Sequence, residues 1–181
     1  MSKTLAAINI SIRSTIITLT FYQMINDFNF WLTGTGWAAA FFSNERQNMR
    51  FEFSYLSDPL LELFEALTKL IKGQSDIEKI TFLDEPGEHI LIITRQKEDV
   101  IGVEITRSDT WDSMSEKYST LGEKEIVYSD IDTLKNFASV VCAGIDNLLK
   151  RHTLSEYQEK WHLSAFPAEA YDKLKQVTTM T

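Results

Sequence analysis

The chain has 181 residues, 44% of them hydrophobic and 12% aromatic, with a formal net charge of −8. That composition supplies a core and excludes a disordered chain, while the surplus of carboxylates opposes binding to phosphate backbones. No apolar run approaches the roughly 20 residues that span a bilayer.

Cys142 is the only cysteine, so no disulfide can form within the chain; this fits the cytoplasm. The N-terminus lacks the basic-then-apolar pattern of a signal peptide. No linker or low-complexity segment divides the sequence, so residues 1–181 are expected to form a single domain.

Ile8, Ile10 and Ile12 alternate with polar residues and predict a strand over 5–12. A β-branched run predicts a second over 16–22. Residues 22–36 read as an aromatic loop holding Phe28, Phe30 and Trp31 and ending in Thr33-Gly34-Thr35-Gly36. No third glycine or helix follows, so the glycines predict a turn and not a phosphate cradle. The aromatics are assigned to core closure, because the positive charge of a base-stacking platform is missing.

Strands are expected over 37–42 and 47–55. In the second, Met49, Phe51, Phe53 and Tyr55 alternate with Arg50, Glu52 and Ser54. The period then becomes helical. Leu60, Leu63, Phe64, Leu67, Leu70 and Ile71 share one side, and Glu62, Glu65, Lys69 and Lys72 the other. Asp58 caps this helix, Pro59 opens it, Glu65 and Lys69 pair across one turn, and Gly73 supplies a left-handed stop.

In the second half a strand is expected over 78–83, then a type II turn at Asp84-Glu85-Pro86-Gly87. The apolar run Ile90 to Ile93 predicts a strand over 89–95 that is buried on both faces. The strand over 100–107 turns Ile101, Val103 and Ile105 inward. A long polar loop follows over 108–122, then a last strand over 123–128. Ser129 with Asp132 reads as a capping box that starts the longest helix, whose stripe runs from Ile131 through Leu134, Phe137, Ala138, Val141, Ile145, Leu148 and Leu149. Thr153 with Glu156 is a second capping box, opening a short helix with Tyr157 and Trp161. Pro167 opens the last helix, with Ala168, Tyr171 and Leu174 on one side, and residues 177–181 are expected to fray.

The expected fold is therefore α+β. It has two antiparallel β-meanders each followed by a helix (ββββα-ββββα), then two short C-terminal helices. That order is similar to the Whirly-like arrangement, an analogy of topology that carries no function.

The sequence carries few motifs that could do chemistry. His89, His152 and His162 have no metal-ligand spacing and no completing carboxylate or thiol, so no metal or other cofactor is expected. Cys142 lies inside the long helix beside Val141 and reads as a small core residue. No nucleophile elbow or phosphate loop appears, and no catalytic residue is assigned. Asp84, Glu85 and Glu88 crowd one turn. They read as a solvated hairpin turn, as a negative contact patch, or as paired carboxylates for acid catalysis. The loop after residue 108 holds Asp109, Trp111, Asp112 and Glu116; Trp111 is either an interface anchor ringed by acids or a ring folded back on the sheet.

Three passages carry a resemblance: FEFSYLSDPLLELFEAL at 51–67, FLDEPGEHILIITR at 82–95, and FASVV…LL…YQEKW…FP at 137–167. The chain resembles a family of small, largely uncharacterised bacterial proteins that share the Tyr-Leu-Ser-Asp, Asp-Glu-Pro-Gly-Glu and Tyr-x-x-x-Trp signposts. Small acidic proteins of this kind resemble the immunity partners of secreted toxins, including those of contact-dependent inhibition. The matching residues are structural, so no active site carries across.

The resemblance implies a non-enzymatic immunity protein of the cytoplasm that binds a cognate toxin domain, a basic nuclease, and blocks its active site or substrate path. The contact set expected from charge is Asp84, Glu85, Glu88, Asp109, Trp111, Asp112 and Glu116, with no nucleic-acid or membrane partner. Two alternatives belong to other classes: a single-stranded nucleic-acid or housekeeping binding protein, which needs a basic groove, and a carboxylate-dependent hydrolase, which needs two converging acids in a cleft.

Overall fold

The computed structural model describes residues 24–111 and 124–180. The strands expected over 5–12 and 16–22, and most of the loop over 108–122, lie outside the described residues.

The architecture is α+β with two antiparallel sheets. The first has the order β1 (Asp27–Gly34), β2 (Trp37–Ser43), β3 (Asn48–Ser54) and is followed by α1 (Pro59–Ile71). The second has the order β4 (Ile77–Leu83), β5 (Glu88–Lys97), β6 (Val100–Ser108), β7 (Glu125–Thr133). Helices α2 (Leu134–Arg151), α3 (Leu154–Trp161) and α4 (Ala168–Met180) complete the chain.

Residues 27–34 form a strand, which corrects the aromatic loop expected there. Phe28 and Phe30 alternate with Asn29 and Trp31, and the two phenylalanines are fully buried. Pairing of Gly34 with Trp37 leaves Thr35 and Gly36 as a two-residue hairpin turn. Gly36 has φ 74°, the left-handed region that such turns require.

The inner faces of the sheets meet through aromatic rings. Phe51 and Phe53 of β3 lie 5.1 and 4.9 Å from Phe82 of β4, edge to face. Phe42 of β2 lies 6.2 Å from Tyr128 of β7. Ile101, Val103 and Ile105 point inward as expected and are fully buried. One continuous core joins both sheets and all four helices.

The helices cross over between the sheets. Helix α1 follows the first sheet yet packs on β4 and α4, while α2 follows the second sheet and packs on β1. Asp58 accepts the N–H of Leu61 and Pro59 opens α1; Gly73, with φ 65°, ends it. Glu62 does not face solvent as the helical pattern suggests. Its carboxylate accepts the N–H of Thr81 at 2.7 Å and so staples α1 to β4. Burial, the largest effect, holds the Glu62 carboxyl above the ordinary carboxylate range. Lys69 reaches across to Glu78 of β4, 3.5 Å away.

Strand β7 continues to Thr133, so the box of Ser129 and Asp132 does not start α2. Thr133 is the cap, accepting the N–H of Asn136. The backbone stays extended through Ser129–Thr133 because those residues pair with Val100 to Glu104 of β6. The box of Thr153 and Glu156 closes as expected, and Tyr157 and Trp161 are buried. Helix α4 runs to Met180 and does not fray from Val177, because Val177 packs against the core and Thr178 donates to the carbonyl of Leu174.

Candidate acidic pocket beside Trp111

Strand β4 delivers the chain into the turn Asp84–Gly87, and β5 carries it away. The N–H of Asp84 donates to the Gly87 carbonyl at 2.7 Å, and its side chain accepts the N–H of Glu85 at 2.8 Å. The Glu85–Pro86 peptide is cis, so the turn is not the type II expected from the sequence. Gly87 is buried where the turn crosses the end of β6. A Cβ there would stand 2.3 Å from the carbonyl oxygen of Ser108, so only glycine lets the two chains approach.

Register brings the second acidic segment to the same place. Glu88 pairs with Ser108, so the chain leaving β6 emerges against the turn. Trp111 folds back over it. The indole Nε1 donates to the carbonyls of Asp84 at 2.7 Å and Gly87 at 2.9 Å, satisfying the one polar atom of a large apolar ring. Trp111 nonetheless stays partly exposed and forms a wall of an open pocket of about 580 Å³ with Glu85, Pro86, Asp109 and Thr110. Segments distant in sequence thus build one surface.

The predicted contact residues divide. Glu85 and Asp109 are exposed at the rim, and Asp84 is half-buried in the turn. Asp109 pairs with Arg107 at 2.9 Å, an exposed and therefore weak ion pair. Glu88 is 1% exposed and is not part of the pocket wall, so it does not present charge at this surface. Asp112 and Glu116 lie outside the described residues.

Sequence reasoning missed Pro86 and Thr110 as wall residues. Spacing excluded His89 as a metal ligand but did not reveal its setting. His89 lies behind the turn on the inner face of β5, stacked on Phe51 with 4.4 Å between ring centres. It is 4% exposed and its Nδ1 has no hydrogen-bond partner. The alternation of β5 was the available signal: His89 shares a face with Leu91 and Ile93.

Burial pushes the His89 imidazole down from 6.5 to about 4, with Arg107 adding to the fall and Asp84 opposing it. The unfolded chain then takes up a proton that the folded chain refuses. Stability supplied by the neutral ring is complete above pH 6.5 and declines as the pH falls toward 4. Between pH 7 and pH 5 the protein is expected to lose about 2 kcal/mol through this group. Urea unfolding of wild type and His89→Leu at both pH values checks this. A wild-type loss no larger than that of the variant would remove His89 as its source.

Among the described residues no group of three His, Cys, Asp or Glu is placed to hold a metal ion, and no helix is long and apolar enough to cross a membrane. Cys142 is half-buried in α2, and burial pushes its thiol up to about 11. A thiol so rarely ionised is a poor nucleophile. No protein-family model, curated protein or solved structure matches the chain.

Proposed function

We propose that this protein is a non-enzymatic immunity protein of the cytoplasm, which binds a basic toxin domain and blocks its active site or substrate path. The observation that supports the reading is the junction of the Asp84–Gly87 turn with Trp111 and Asp109 in one open, acid-rimmed pocket. A rigid aromatic wall with carboxylates at its edge suits a cationic protein surface. The net charge of −8 adds long-range attraction and would speed encounter with such a partner. The fold assigned to this function is the Whirly-like ββββα-ββββα order. It is supported in the second half by four strands then a helix, followed by α3 and α4; three described strands precede α1.

The test is co-expression with the product of the adjacent upstream gene, tagging one and asking whether both are recovered through moderate salt. A stoichiometric complex that neutralises a toxic neighbour is the expected result. A protein that purifies alone beside a harmless neighbour would overturn the reading. Within such a complex, Trp111→Ala is expected to weaken binding about 30-fold, the scale of a buried aromatic anchor. Trp111→Phe, which keeps the apolar wall, should weaken it less. Calorimetric titration of the purified pair measures both, and equal affinity for wild type and Trp111→Ala would place the interface elsewhere.

A further inference from the structure

We propose that the pocket beside Trp111 receives an arginine side chain of the partner, its guanidinium laid between the Trp111 indole and Pro86 and held by Glu85 and Asp109. This deepens the partner reading above and rests on it.

The walls set the occupant's shape. Pro86 and Trp111 offer flat apolar surfaces, and a volume of about 580 Å³ holds one long side chain with the backbone that carries it. The rim sets its charge. Glu85 is exposed and forms no ion pair among the described residues. Asp109 accepts one guanidinium nitrogen from Arg107 in an exposed and weak pair, so an incoming guanidinium would share that carboxylate. The indole N–H points away, into the carbonyls of Asp84 and Gly87. The ring is thereby fixed as a wall of the pocket.

Guanidinium fits this combination better than ammonium does. It is planar, weakly hydrated and stacks on aromatic faces, and its fork of donors can bond two carboxylates at once. A lysine would have to shed tightly held water to enter between apolar walls. An uncharged planar group would leave the Glu85 carboxylate without an ion-pair partner.

The full-length protein, labelled with ¹⁵N, would be titrated with N-acetylarginine methylamide and with the lysine and citrulline counterparts. The Trp111 indole signal is identified by its loss in Trp111→Phe. The expected result is a saturable shift of that signal and of the amides of Glu85, Gly87, Asp109 and Thr110 with the arginine probe. The lysine probe should bind a few-fold more weakly, and citrulline should give no saturable shift. Combining Glu85→Gln with Asp109→Asn should weaken the arginine probe roughly fivefold, as loss of exposed charge contacts does.

Equal shifts from arginine and citrulline would overturn the proposal, since the pocket would then be reading shape and not charge. Absence of a saturable shift from arginine would overturn it too. The outcome separates from that of co-purification. A toxin complex without arginine binding removes this inference alone, whereas arginine binding by a protein that has no toxin partner removes the immunity reading alone.

Discussion

Gly144→Ala is expected to destabilise the protein by about 3 kcal/mol, the upper range for forcing extra volume into a packed interior. Helix propensity predicts the opposite sign, because alanine in a helix interior is favoured over glycine by about 1 kcal/mol. Packing wins here for a geometric reason. A Cβ on Gly144 would stand 2.1 Å from the carbonyl oxygen of Phe28, 2.8 Å from its ring and 3.0 Å from its carbonyl carbon. The obstruction is mostly backbone, so no rotamer change removes it. Strand β1 cannot easily retreat, since Phe28 pairs with Phe42 and their rings lie 5.0 Å apart. Helix α2 would have to lift off the first sheet, opening the contact with Phe137 as well.

Urea unfolding checks this, with Ala143→Gly as the calibration. Ala143 is exposed on the same helix, so that change should cost only about 1 kcal/mol from propensity. A Gly144→Ala midpoint equal to or above wild type would mean that α2 does not lie against the β1 backbone.

The same contact shows how far the sequence could be read. Strands β2 to β6 and helices α1, α3 and α4 follow from periodicity and caps that are local. Phe51, Phe53 and Leu60 to Ile71 state their own faces, and Thr153 with Glu156 states a helix start. What decides Gly144 is different in kind. An isolated glycine in a helical pattern reads as a weakness, and only the strand 116 residues earlier explains it. The loop assigned to residues 22–36 failed for a related reason. Its Phe-x-Phe alternation is the local sign of a strand, but the burial of both rings depends on pairing with β2, which no local pattern states. Ser129 and Asp132 imitated a capping box because the pattern of a hydroxyl and a carboxylate three apart does not reveal that β6 is pairing with that backbone.

The candidate pocket was half legible. Acidic residues in a turn and a tryptophan in a later loop could each be noted. Their union depends on the Glu88–Ser108 register, which no local pattern encodes. Glu88 shows the cost of counting charge without faces: it was grouped with its neighbours in the turn, yet the strand has already begun and the side chain is buried.

Asp132→Ala is expected to cost a further large amount, about 3 kcal/mol, for the opposite reason: it removes an acceptor and not a space. Asp132 is fully buried. One carboxylate oxygen accepts the N–H of Ile25 at 3.0 Å, and the other accepts that of Thr133 at 2.6 Å. The Asn136 amide donates to both oxygens and also to the carbonyl of Ile25. A single side chain thus joins the approach to β1, the end of β7 and the first turn of α2. Burial, the largest effect, holds its carboxyl above the ordinary carboxylate range, while the Asn136, Thr133 and Ile25 donors pull it back. Ionisation therefore costs stability as the pH rises through that raised value, and the sign is opposite to that of His89.

Removing the group relieves this cost but leaves the buried Ile25 N–H without an acceptor, at about 1–3 kcal/mol, and the half-buried Thr133 N–H at less. The orphaned donors outweigh the relief. A double-mutant cycle with Asn136→Ala tests the account, because the two changes should be strongly non-additive if they break one network. Additive losses, or a cost for Asp132→Ala below about 1 kcal/mol, would show that water replaces the carboxylate and that the β1 approach is held by packing alone.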